Sequence, residues 1–186
     1  SPSGLAGARK IASLGEKSEQ AADDLEVKVP ELTPALAAEL EKLLHADDVS
    51  PAALDSYFSS VELAQGSLAS LTAELAKRTA DTGVGRNAKR IAARARRRMG
   101  DTAGALAVLK DLAKKGELGG GDLLIYAETL DQSGKTLDAI IAYSQVLVRT
   151  EDPALRADLE LRLALMRRTA PPQTFRLPKG SPYEGF

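Results

Sequence analysis

A step of 34 residues separates Gly100 from Gly134, and the segments that begin at each, "GDTAGALAVLKDL" and "GKTLDAIIAYSQV", align without a gap. In that register Ala105 matches Ala139, Leu109 matches Tyr143 and Leu112 matches Val146. Each glycine reads as the turn between two helices, and each alanine as the point where the second helix crosses the first closely. One more step back reaches Gly66, with Leu71 standing where a small residue is expected. A single helix pair cannot bury its own apolar stripe, so a period of this length implies stacked units, about three of them for stability.

The flanking sequence supports helices throughout. Thr33-Pro34 and Ser50-Pro51 each read as an N-cap followed by proline in the first helical position. "ALAAELEKLLHA" puts Leu36, Leu40, Leu43 and Leu44 on one face, and "AALDSYFSSVELA" offers Leu54, Tyr57, Phe58, Val61 and Leu63. "SLASLTAELAKR" follows Gly66, and "TGVG" at 82–85 is a turn. A basic helix then runs to Met99, and helices ending near Gly116, Gly134, Thr150 and Thr169 complete a set of eight. The chain is 44% apolar, chiefly Ala and Leu, with 4% aromatics and no Trp, which suits close helix packing better than a β-sandwich. The expected organisation has three parts. Residues 1–30 are a linker or tether, with a helix from about Leu5 to Ala22 left open; 31–169 are the helical-repeat domain; and 170–186 are a Pro-rich extended tail. In that tail Phe175, Leu177, Tyr183 and Phe186 provide something to bury.

The repeat resembles the tetratricopeptide repeat, a 34-residue helix–turn–helix unit. Residues 123–153 form its best copy, with the large–small pair Tyr126-Ala127, Gly134 in the turn, then Ala139 and Tyr143, and a closing Pro153 slightly late. The copy at 86–119 keeps Gly100, Ala105 and Leu109 but has Ala92-Ala93 and no large aromatic in its first helix; 52–85 is a degenerate copy. The likeness covers about 85 residues closely and about 135 loosely. It implies an all-α solenoid of antiparallel helix pairs with a capping helix at 153–169. It also implies a concave groove lined by the first helix of each repeat, and a role in binding proteins rather than in catalysis.

A formal net charge of −1 hides a strong polarity. Glu16 to Glu62 holds twelve acids against three lysines, a net of −9, and Lys77 to Lys115 holds twelve cations against three aspartates, a net of +9. The basic block peaks at "RNAKRIAARARRR", residues 86–98. The resemblance implies that Asn87, Arg90, Arg94, Arg97 and Arg98 face the groove, with Ile91, Ala92, Ala95 and Met99 on the packing side. Planar guanidinium forks bind carboxylates at two points, so such a file suits an acidic peptide or partner segment, with Asn87 donating to its backbone. The neighbouring first helix offers Leu124, Ile125, Glu128 and Asp131, which departs from the family's clamp for chain-terminal carboxylates. Three other readings stay open: an electrostatic nucleic-acid binder, a structural assembly subunit whose acidic arm meets a basic groove, with homo-oligomers, and a solvated helix face.

No catalytic, cofactor or metal constellation emerges. His45 is the sole histidine and ends a helix; Asp23-Asp24 and Asp47-Asp48 lack two-sided geometry; and Gly119–Gly121 has neither a preceding strand nor a phosphate-binding lysine. With no Cys, disulfides and thiolate chemistry are excluded. The expectation is therefore a non-enzymatic scaffold. The opening "SPSGLAGARK" has neither Met nor a signal-like apolar core, which suggests a processed or excised piece, and no run approaches the roughly 18 apolar residues of a membrane span. The compartment stays open between cytoplasm and bacterial cell envelope.

Overall fold

Thr33 opens the first helix as the sequence leads one to expect: its hydroxyl accepts from the Leu36 amide at 3.4 Å, with Pro34 in the first turn. A computed structural model describes residues 29–170, and these described residues form eight helices and no strand. They are α1 (Pro34–Leu44), α2 (Pro51–Gln65), α3 (Ala69–Arg78), α4 (Gly85–Arg98), α5 (Thr102–Lys114), α6 (Gly120–Gln132), α7 (Thr136–Arg149) and α8 (Pro153–Thr169). Ser50, Asp101 and Asp152 cap α2, α5 and α8 in the same manner, each accepting a backbone N–H of the first turn. The tether and tail expected at 1–30 and 170–186 lie, but for residues 29, 30 and 170, outside the described range.

The 34-residue period is written into the backbone hydrogen bonds. Gly100 and Gly134 both take left-handed conformations, φ 80° and 69°, where a Cβ would be strained. After them the Asp101 amide donates to Arg96 O and the Lys135 amide to Leu130 O, both at 2.9 Å and 34 residues apart. The amides of Gly100 and Gly134 reach Arg97 O and Asp131 O in the same register. Both turns thus close by one six-residue loop, and both aligned alanines, Ala105 and Ala139, are fully buried beyond it. Gly66 shares the left-handed φ, but its amide makes the plain helical bond to Glu62 O, so the first copy is degenerate in backbone as well as sequence.

From α3 onward each helix packs against the next, and α1 lies on both α2 and α4. Two apolar clusters hold the assembly: one of Leu, Val and aromatic residues over α1–α4, including Leu44, Phe58, Leu71, Leu75 and Ile91, and one over α5–α8, centred on Ala139, Tyr143, Leu130 and Leu159. Two positions depart from the apolar faces expected. Leu63 is 91% exposed, because a residue two places after Val61 points away from the stripe that Leu54, Phe58 and Val61 form. Met99 is 43% exposed, because it stands at the C-cap of α4, past the last helical turn that packs.

Candidate interaction surface

All seven cations of the basic stretch lie on α4, and each has a partner within the chain. They divide by face. Lys89 pairs with Asp111 of α5 at 2.6 Å, and Arg96 pairs with Asp101, the cap of α5, at 3.1 Å. Arg86 donates to the Glu117 carbonyl at 3.0 Å. Arg90, Arg94, Arg97 and Arg98 turn away from Lys89 and Arg96, as the helical period requires, toward α2 and α6, and Arg86 lies at the edge of their side, close to Gly119.

The innermost pair of arginines shares one carboxylate. Asp122, in the first turn of α6 and 2% exposed, accepts from Arg90 Nε through Oδ2 and from Arg94 Nη2 through Oδ1 at 3.1 Å. Two guanidinium groups and the positive end of α6 hold this buried charge. Asn87, the fifth residue expected in the groove, sits beneath them. Its amide nitrogen donates to the carbonyls of Leu44 and Ala46, both at 2.9 Å, and its oxygen accepts from Arg90 Nη1. It therefore satisfies carbonyls at the C-terminal end of α1 and fastens that helix to α4.

Farther along α4 the pairs open to solvent. Arg97 meets Glu128 of α6 at 2.9 Å, with the side chains 21% and 34% exposed. Arg98 forks onto Glu62 of α2, donates to Ser59 Oγ at 3.0 Å, and lies 5.9 Å from the centroid of the Phe58 ring. Between these contacts is a cavity of about 150 Å³, lined by Leu54, Asp55, Phe58, Arg94, Arg97, Arg98 and Ile125. Three helices thus contribute to one hollow with an aromatic and aliphatic floor and a wall of three arginines, with Asp55 at its rim 3.9 Å from Arg98. Leu54 and Phe58 were not singled out for a site by sequence reasoning; their apolar character alone reads as core.

Of the neighbouring residues weighed against a carboxylate clamp, Glu128 is taken by Arg97 and Ile125 lines the cavity. Leu124 packs into the second apolar cluster. Asp131 faces the last helix instead, 3.6 Å from Arg162, whose Nη1 donates to Tyr143 Oη at 2.6 Å. Burial pushes the Tyr143 hydroxyl above its ordinary value, with Arg162 opposing the shift. His45 stands at the end of α1, its Nε2 3.6 Å from Glu41 and its side chain 67% exposed. Among the described residues no three His, Cys, Asp or Glu side chains gather as metal ligands, and no helix is long and apolar enough to cross a membrane. No family model, curated protein or solved structure matches the chain.

Proposed function

We propose that this chain is a non-enzymatic protein-interaction scaffold of the tetratricopeptide type, which takes an acidic segment of another protein against the face shared by α2, α4 and α6. The observation that carries the reading is the cavity walled by Arg94, Arg97 and Arg98 over a floor of Phe58, Leu54 and Ile125. Support for the family comes from the hydrogen bonds and buried alanines that recur 34 residues apart.

Energetics separate ligand contacts from framework. The Arg97–Glu128 and Arg98–Glu62 pairs are about a fifth to a third exposed, and such pairs contribute roughly 0–1 kcal/mol. An incoming carboxylate can replace Glu128 or Glu62 at little net cost, and selectivity then falls to an apolar side chain entering the cavity. The Arg90–Asp122 contact is different, 14% and 2% exposed; opening a buried pair costs about 3–5 kcal/mol. Asn87 and Arg90 therefore act as framework, and Arg97 and Arg98, helped by Arg94, act as contacts. The apolar floor of Leu54, Phe58 and Ile125 favours a peptide side chain over a nucleic-acid backbone, whose phosphates would meet only the cations.

The test is binding of a fluorescent peptide panel in which Asp/Glu and Leu/Phe alternate. Arg97→Ala with Arg98→Ala should weaken the tightest peptide at least about tenfold with helix content unchanged. Equal affinity for the variant would sink the reading.

A further inference from the structure

The last helix, α8, carries apolar residues on two opposite sides. Its inner face buries Leu159, Leu163 and Met166 against α7. Its outer face presents Ala157, Leu161, Ala164 and Leu165, with the two leucines 62% and 54% exposed. The spacing of these four, at steps of four, three and one, gives a continuous stripe on a 3.6-residue helix. Stacked helical arrays keep a polar outer face where they meet water, so a leucine stripe on α8 marks a contact surface.

Charge on the same helix says what fits there. Glu160 and Arg167 flank the stripe along one edge, seven residues and therefore nearly two turns apart. Both are exposed, and among the described residues neither makes an ion pair or a side-chain hydrogen bond. The arginines of α3 and α4, by contrast, are all engaged. Arg162, also on α8, is turned inward and stacks 5.2 Å over the Tyr143 ring.

We infer that α8 pairs with α8 of a second copy of this chain, antiparallel, about a twofold axis that crosses the outer stripe midway between Leu161 and Leu165. That axis sets Leu161 beside Leu165 of the other copy. It brings Glu160 of each copy to Arg167 of the other on the same edge, because a twofold relation returns every contact reciprocally. The apolar residues and the Glu160–Arg167 edge are self-complementary, which an unrelated partner would not require. Arg168, which continues the stripe one turn past Ala164, falls at the end that meets Glu160 of the other copy. One helix face is smaller than the roughly 800 Å² per partner of a standard stable interface, so the association is a reversible monomer–dimer equilibrium.

Sedimentation equilibrium of the full chain over a concentration series tests this. The wild type should move from monomer to dimer as concentration rises. Glu160→Arg and Arg167→Glu should each weaken the dimer about tenfold or more, since each homodimer then faces like charges twice. An equimolar mixture of the two variants should dimerise within about threefold of wild type, because the heterodimer alone restores two opposite-charge pairs. Leu161→Glu with Leu165→Glu should leave only monomer with unchanged helix content, as both side chains are exposed in the folded protein. A wild type that stays monomeric throughout, or a mixture no tighter than its separate components, overturns the inference. Neither Glu160 nor Arg167 lines the α2–α4–α6 cavity, so dimerisation and peptide binding can fail independently.

Discussion

Arg98 grips Glu62 at two points, Nε to Oε1 at 3.0 Å and Nη2 to Oε2 at 2.7 Å. The two residues close the basic stretch and the acidic block of the sequence, so this fork joins the two halves of its charge polarity across α2 and α4. Both side chains are about a third exposed, which limits what the contact adds. A double-mutant cycle of Arg98→Ala and Glu62→Ala in urea unfolding should give a coupling of about 0.5–1 kcal/mol that shrinks in high salt.

Asp122 should behave very differently. Replacing it by Ala leaves Arg90 and Arg94 without their shared carboxylate in a site where they are 14% and 15% exposed. Urea unfolding should show a loss of about 3–5 kcal/mol. Glu128→Ala, on the same helix and facing Arg97, should cost less than about 1 kcal/mol. Equal costs for the two would mean that burial does not rank these ion pairs.

The paired turns make a matched prediction. Gly100→Ala and Gly134→Ala each force a Cβ into a left-handed conformation, and neither would meet another atom within 4 Å. The penalty is then purely conformational, about 1–2 kcal/mol at each, and similar at both. Thermal unfolding of the two variants checks it; a near-neutral Gly134→Ala would indicate that the turn relaxes.

Acid should weaken the tie between α1 and α3. Hydrogen bonding from Arg78 holds the Glu41 carboxyl below its usual value of 4.5. A carboxyl lowered on folding contributes stability that is fully present above its unfolded value and disappears as pH falls through the folded one. The contribution should therefore fade below about pH 4.5, and Glu41→Gln should flatten that part of the stability–pH curve. An acid limb identical in wild type and Glu41→Gln would show that the Arg78 contact has no thermodynamic weight.

Alkali probes the opposite sign at Tyr57, which donates to Leu36 O at 2.9 Å from a buried position. Burial raises its hydroxyl above the ordinary 10. The folded state then keeps the proton longer, so stability is full below about pH 10 and declines above it. Tyr57→Phe should remove that alkaline decline and lower neutral-pH stability by about 1 kcal/mol.

Local chemistry was enough to place the helices. Thr33-Pro34, Ser50-Pro51 and Asp152-Pro153 act through neighbours two or three residues away, and the turns at Gly100 and Gly134 close on carbonyls five residues back. The 34-residue period followed from the same short-range logic repeated. The family resemblance implied that Arg90, Arg94, Arg97 and Arg98 lie on one side of their helix, and all four reach toward α2 and α6. What a face meets is another matter. Asn87 finds Leu44 and Ala46 more than forty residues away, and Arg94 finds Asp122 across 28, because helix packing alone decides which carbonyl or carboxylate stands opposite. A cationic run has the same helical pattern whether it lines an open groove or closes on buried acids. Only the packing of α2 and α6 on either side of α4 separated the framework arginines from those at the cavity, since burial, which the linear sequence does not contain, sets the strength of each pair.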